Sequence, residues 1–223
     1  MSYFNQDFIN FFKELAANNH KEWFDDNRKR YENNIKKPFH ALVSDLITAI
    51  HKDDVKFSLE PKDAIFRINK DVRFSSDKTP YKLHLSAILS PAGRKKLDDP
   101  GMYFQLGVDE SFVGGGMYCP AKENLFKMRE SIVHNHDVLE KLLKAPKFSK
   151  FYDGFVEGAM NKVLPKEFKE YGSQYPLLYY KEFYFMKSYK QEDFALQENL
   201  LEVLMEHYFA GKEINLFIRE SIF

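Results

Sequence analysis

The sequence is poor in the residues and patterns that most often announce a function. It has one cysteine, Cys119, in 223 residues, so no disulfide can close within the chain and a reducing, cytoplasmic setting is expected. Its 33 Lys+Arg balance 33 Asp+Glu, which argues against a protein that coats nucleic acid through overall positive charge. No stretch approaches the ~20 apolar residues of a membrane span. The opening MSYFNQDFINFF lacks the basic start and small-residue cleavage site of a secretory leader. No H-E-x-x-H or C-x-x-C is present, so no metal centre is expected, and no G-x-S-x-G marks a serine nucleophile. Cys119 has no evident activating neighbour. No nucleotide-binding glycine loop occurs either, and no cofactor is expected.

Aromatic rings are plentiful instead, with 22 Phe and 13 Tyr, which predicts a core packed with rings. Phe4, Phe8, Phe11, Phe12 and Leu15 recur at helical steps and predict a first helix ending at Asn18-Asn19. Asn19 and Glu22 resemble the cap of a second, carrying Trp23, Asn27, Tyr31 and Ile35 on one side. Asp25, Arg28, Lys29 and Glu32 form its other side, read as a solvated face, and Pro38 interrupts it. Leu125, Met128, Ile132 and Val133 predict a helix ending at His134–His136, with a shorter one following through Leu143. The segment from Ala145 to Pro176 reads as an irregular arm with helical turns near Phe148 and Lys166. Glu182 to Tyr189 reads as a strand. Leu196, Leu200, Leu201 and Leu204 predict one helix, and Ile214, Phe217, Ile218 and Ile222 a last one. The expected class is α+β: a single domain over residues 1–223, with a mostly antiparallel sheet in the middle of the chain flanked by N-terminal and C-terminal helices.

Two sheet segments carry the chemistry. From Ile65 to Phe74 the residues alternate, with Phe66, Ile68, Val72 and Phe74 on the apolar side and Arg67, Asn69, Asp71 and Arg73 on the polar side. Lys70 falls on the apolar parity, which a bulge would resolve. After the turn SSDKTP, Tyr81, Leu83, Leu85, Ala87 and Leu89 alternate with Lys82, His84 and Ser86. Between Arg67 and His84 five Lys/Arg stand against two Asp, a local basic excess in a neutral chain. Such a patch suits a phosphate or carboxylate, because Arg offers a fork and Lys a point charge. An ordinary solvated sheet face with cross-strand ion pairs explains the same pattern. Farther on, Met102, Phe104, Leu106 and Val108 predict another strand, with Ser111–Tyr118 as its hairpin partner. Gly114, Gly115 and Gly116 leave a bare strip there, against which either a flat ligand or a helix can lie.

The string Arg67-x-x-Lys70-Asp71-x-Arg73-Phe74-x-x-Asp77-Lys78-x-x-Tyr81 resembles the signature of domain-of-unknown-function family 2461. So do EWFDDNRKRY (Glu22 to Tyr31), Lys82 with His84, and SFVGGGMY (Ser111 to Tyr118). Lys70 stands where the family pattern has Arg, keeping the charge without the fork. The resemblance implies that these residues act together, and it carries no activity.

The expected function is that of an anion-binding protein or small metal-independent enzyme. Arg67 and Arg73 clamp the ligand, Asp71 orients an Arg, Lys70, Lys78, Tyr81 and Lys82 surround it, and His84 is the candidate proton carrier. Nearby cations would keep His84 neutral. The expected partner is a small anionic ligand and no membrane. The alternative is a non-catalytic module that offers the same basic surface to nucleic acid or an acidic protein. A concave site separates the first reading from the second.

Overall fold

In the computed structural model, which describes residues 2–223, the ring-rich start folds as its spacing dictates. Helix α1 (Gln6–Ala17) is capped by the Asn5 side chain, which accepts the Asp7 N–H at 2.9 Å. It buries Phe8, Ile9, Phe11, Phe12 and Leu15, a stripe in which each large apolar side chain contributes about 1.5–3 kcal/mol on leaving water. Helix α2 (Lys21–Asp26) is capped by His20, whose Nδ1 accepts the Trp23 N–H. Asn19 does not cap it, because its amide is engaged with the backbone of Tyr81. Trp23 is half-buried against Phe11, while its neighbour Phe24 is the buried ring.

Helix α3 (Arg28–Arg30) leads into a wide π turn, Tyr31–Lys36, and then helix α4 (Lys37–Asp53). Pro38 stands in the first turn of α4. A proline has no N–H to give the preceding turn and its ring crowds the carbonyl four residues back, so the helix widens rather than running straight through. The Lys37 N–H accordingly reaches five residues back, to the Glu32 carbonyl. Arg30 ties this region to α1, donating to Asp7 Oδ1 at 2.6 and 2.8 Å and to Glu14 at 2.7 Å. A short helix α5 (Pro61–Ala64) follows.

Strands β1 (His84–Leu89), β2 (Gly101–Gly107), β3 (Ser111–Met117) and β4 (Phe183–Tyr189) form one antiparallel sheet in sequential order. Between β3 and β4 run helix α6 (Lys122–Leu143), with non-helical backbone at Asn135 where the two predicted helices meet, and helix α7 (Pro146–Ser149). The final helix α8 (Leu200–Ile222) is continuous where the apolar spacing predicts two. Gly211 lies within it because the Phe185 ring leaves no room for a Cβ, which would sit 2.5 Å from the ring. The α+β class with helices flanking a mid-chain antiparallel sheet is the one expected from the sequence. No helix of the described residues is long and apolar enough to cross a membrane.

Two compact units can be distinguished along the chain. One comprises the chain up to Leu89 together with Tyr103–Val113 and Ser188–Met205. Its core includes the rings of α1, Phe24, Tyr31 and the Phe39–Phe104 pair. The other comprises Ser90–Met102, Gly114–Lys187 and Glu206–Phe223, with Phe148, Tyr152, Phe183, Phe185 and Ile218 in its core.

The predicted strand from Ile65 to Phe74 is the main correction. Only isolated bridges form there, Ile65 with Ala87 and Asn69 with Tyr81. The Phe66 N–H donates to Ser86 and the Lys82 N–H to Ile68, so Leu83, His84 and Leu85 together stand opposite Arg67. The bulge therefore lies in the second segment, across from Arg67, and not at Lys70. Beyond Lys70 the chain leaves the sheet, and Phe74, predicted to be buried, is 97 % exposed. Side-chain bonds from Asp71, Asp77 and Lys78 to the loop's own backbone replace the missing ladder.

Candidate functional site

A cavity of about 230 Å³ opens in the first unit. Phe24 of α2, Arg28 of α3 and Tyr31, Glu32 and Lys36 of the π turn form one side of its lining. Arg67, Ile68, Asn69 and Tyr81 form the other. The π turn matters here because a widened turn changes the direction of its side chains relative to a regular helix, and such turns recur at functional sites. Phe24 and Tyr81 stack at 4.0 Å between ring centroids, joining the two sides.

The cations of the lining are unequally neutralised. Arg28 donates to Asp25 at 2.5 Å and lies 5.5 Å from the Phe24 ring centroid. Lys36 is bonded to Glu32 at 2.9 Å. The Arg67 guanidinium makes no hydrogen bond or ion pair among the described residues. The phenol groups of Tyr31 and Tyr81 also make no hydrogen bond among the described residues, and burial pushes both up from the usual tyrosine range. The pocket thus offers an uncommitted fork, two hydroxyl groups and two partly neutralised cations.

The sequence-derived candidates fall into distinct groups. Arg67 and Tyr81 line the pocket. Lys82 and His84 follow Tyr81 and are half-buried. Burial first, and then Arg67, lowers the proton affinity of Lys82. Burial, then Lys82 and Lys70, pushes His84 down to about 4, so its ring is neutral at neutral pH. Lys70, Asp71, Arg73 and Lys78 are committed to the loop. Lys70 Nζ bonds Asp77 at 2.7 Å and Thr79 at 2.6 Å, and Lys78 Nζ donates to the Val72 carbonyl at 2.9 Å. Arg73 forks onto Asp71 at 2.9 and 2.6 Å, which holds that carboxyl down at about 2, and its side chain is 76 % exposed. A clamp of Arg67 with Arg73 is therefore not assembled.

Gly114, Gly115 and Gly116 do not form an open strip. A Cβ on Gly114 or Gly116 would collide with the β4 backbone, and one on Gly115 would meet the Phe185 ring and Asn215 of α8. Asn215 Oδ1 also accepts the Gly116 N–H at 2.8 Å. Of the two sequence readings, close packing by helix and ring occupies this place.

Sequence reasoning gave Phe24 and Lys36 no role, placed Tyr31 on the helical stripe, and read Arg28 and Glu32 as part of a solvated face. The signal that could have placed most of them was the Glu22–Tyr31 stretch. It and the Arg67–Tyr81 stretch carry the family resemblance, and both contribute to this one pocket. Among the described residues no group of three or more His, Cys, Asp or Glu side chains is arranged to hold a metal ion.

No curated protein and no solved structure matches the chain. The model of one family does, over residues 7–217, so that nearly the whole length is covered. The chain belongs to the family of conserved hypothetical proteins designated DUF2461.

Proposed function

We propose that the protein binds a small phosphate- or carboxylate-bearing molecule in the pocket beside Arg67. The observation that carries this reading is the uncommitted guanidinium in a cavity whose one lining acid, Glu32, is already engaged by Lys36. An arginine without a partner at a concave site is suited to a bidentate anion. A cavity of about 230 Å³ suits a small molecule better than a polymer. The alternative, a basic surface for nucleic acid or an acidic protein, has less support because Lys70, Arg73 and Lys78 are spent within their own loop.

Calorimetric titration with inorganic phosphate and with citrate tests the reading. Wild-type protein is expected to bind at least one of them, and Arg67→Ala to weaken that binding about 10- to 100-fold, the loss of a charged hydrogen-bonding partner. The melting temperature of the variant should stay within about 2 °C, since substitutions at exposed, unbonded side chains are nearly neutral. Unchanged binding in Arg67→Ala, or no binding in the wild type, would falsify the proposal.

A further inference from the structure

Two hydroxyl groups in the pocket have no partner although their rings are almost wholly covered. Tyr31 is 7 % exposed and Tyr81 5 %, and neither phenol makes a hydrogen bond among the described residues. Both rings line the cavity and pack on Phe24, Tyr81 at 4.0 Å between centroids and Tyr31 at 5.1 Å. Arg28, another lining residue, lies 5.5 Å from the same ring. The backbone of Tyr81 is further fixed by the Asn19 amide. Ser90 Oγ and Arg219 Nε are sealed in the interior without a partner, whereas the two phenol oxygens are not sealed. The cavity is the open space beside them. A folded protein seldom leaves a nearly covered hydroxyl without a protein partner, and two of them at one cavity point to a guest as the partner.

We propose that the molecule held by Arg67 carries further oxygens, as a hydroxy acid or a polyol phosphate does, and that Tyr31 and Tyr81 select it by hydrogen bonds to those oxygens. This deepens, and rests on, the reading of the pocket as an anion site. A guest seated in the cavity takes the place of solvent at both phenols. One that offers a hydroxyl or carbonyl oxygen restores the lost bonds, while one with only methylene groups there leaves two covered hydroxyls unpaired. A site built in this way rejects the analogue that lacks the oxygen more sharply than an apolar pocket rejects a missing methylene. Burial raises both phenols above the usual tyrosine range, so they stay neutral and can donate as well as accept. Their rings are already held by packing, so little freedom is lost on binding. Phe24 and Ile68 add apolar surface to the lining, and Glu32 is taken by Lys36. Arg67 is thus the anchor, and the two tyrosines determine which anion is kept.

Calorimetry with matched pairs of probes tests this. Glycerol phosphate and propyl phosphate share a skeleton and differ only in hydroxyls, as glycerate and propanoate do. The pair with the tighter member tells whether the head group is phosphate or carboxylate. The oxygenated member of at least one pair is expected to bind about 10- to 100-fold more tightly than its match. Tyr31→Phe and Tyr81→Phe should each weaken that member about tenfold and leave the match unchanged, and the double variant should close the gap. Each variant keeps its ring and gives up no protein hydrogen bond, so the melting temperature should not fall. Equal affinities within both pairs, or a gap that survives the double variant, while Arg67→Ala still weakens binding, overturns the selection by tyrosine and leaves the anion site standing. An equal loss for both members of a pair, with a lower melting temperature, makes the phenols structural and overturns it as well. Binding indifferent to Arg67→Ala, or absent for all the probes and for phosphate and citrate, overturns the anion reading itself and this inference with it.

Discussion

Asn19 holds Tyr81 by both polar groups of its backbone. The Asn19 Nδ2 donates to the Tyr81 carbonyl at 2.9 Å, and the Tyr81 N–H donates to Asn19 Oδ1 at 3.1 Å. A side-chain amide thus stands in for a neighbouring strand at the point where the sheet ladder is broken. It also sets the Tyr81 ring in its stack on Phe24, and with it one side of the pocket.

Replacing Asn19 with Ala removes both bonds and leaves a partly buried N–H and C=O without their partner. The expected loss is about 2 kcal/mol of stability, from two hydrogen bonds of about 1 kcal/mol each. Urea unfolding measures it. Anion binding should weaken in the same variant, in contrast to Asn18→Ala, where the lost bond is to the Glu14 carbonyl of α1 and not to Tyr81.

Gly115 is closely surrounded by atoms of its own unit. An added Cβ would lie 2.8 Å from the Gly101 carbonyl oxygen, 2.8 Å from the Phe185 ring and 3.0 Å from Asn215 Nδ2. Gly115→Ala is expected to cost about 1–3 kcal/mol or more, the range for overfilled interiors. Gly158→Ala, where the nearest atoms are 4.0 Å away on the flexible side chains of Glu182 and Tyr184, should be nearly neutral. Thermal or urea unfolding of the pair separates the two cases.

Acid should weaken the fold as pH falls below about 6.5, through two largely buried histidines. His84 and His207 are both pushed down to about 4, chiefly by burial. His207 is 1 % exposed, bonded to the Tyr152 hydroxyl at 2.7 Å and flanked by Phe151, with Glu206 opposing the shift and Lys187 and Lys150 adding to it. Each histidine binds a proton more readily unfolded, near pH 6.5, than folded. Stability is therefore complete above about pH 6.5 and falls as pH drops toward 4, by about 1.4 kcal/mol per unit for each group. Asp7, held below the usual carboxylate range by Arg30, titrates beneath this window. Urea midpoints at pH 7, 6 and 5 give the slope, and His207→Gln should remove roughly half of it, one of the two groups.

Elements that obey one local rule were legible in advance. The three- and four-residue spacing of the α1 rings and the junction in α6 at Asn135 depend on residues close in sequence. So do the alternation of Met102, Phe104, Leu106 and Val108 and the β4 strand. The segment from Ile65 to Phe74 also alternates, yet it is not a strand, because alternation does not say whether a partner lies alongside. Once Asp71, Asp77 and Lys78 turn their side chains onto the loop backbone, Phe74 has no surface to cover it.

Residue type by itself determined that this protein has helices around an antiparallel sheet and a local excess of cations near Arg67, since period and charge are written along the chain. Which cations stay uncommitted was decided only in three dimensions. Arg73 meets Asp71 and Lys70 meets Asp77 within their loop, whereas Arg67 lies across a pocket from Arg28 and Tyr31, residues that read as part of a separate helix. Pairing depends on distance through space, and a linear pattern carries no such distance.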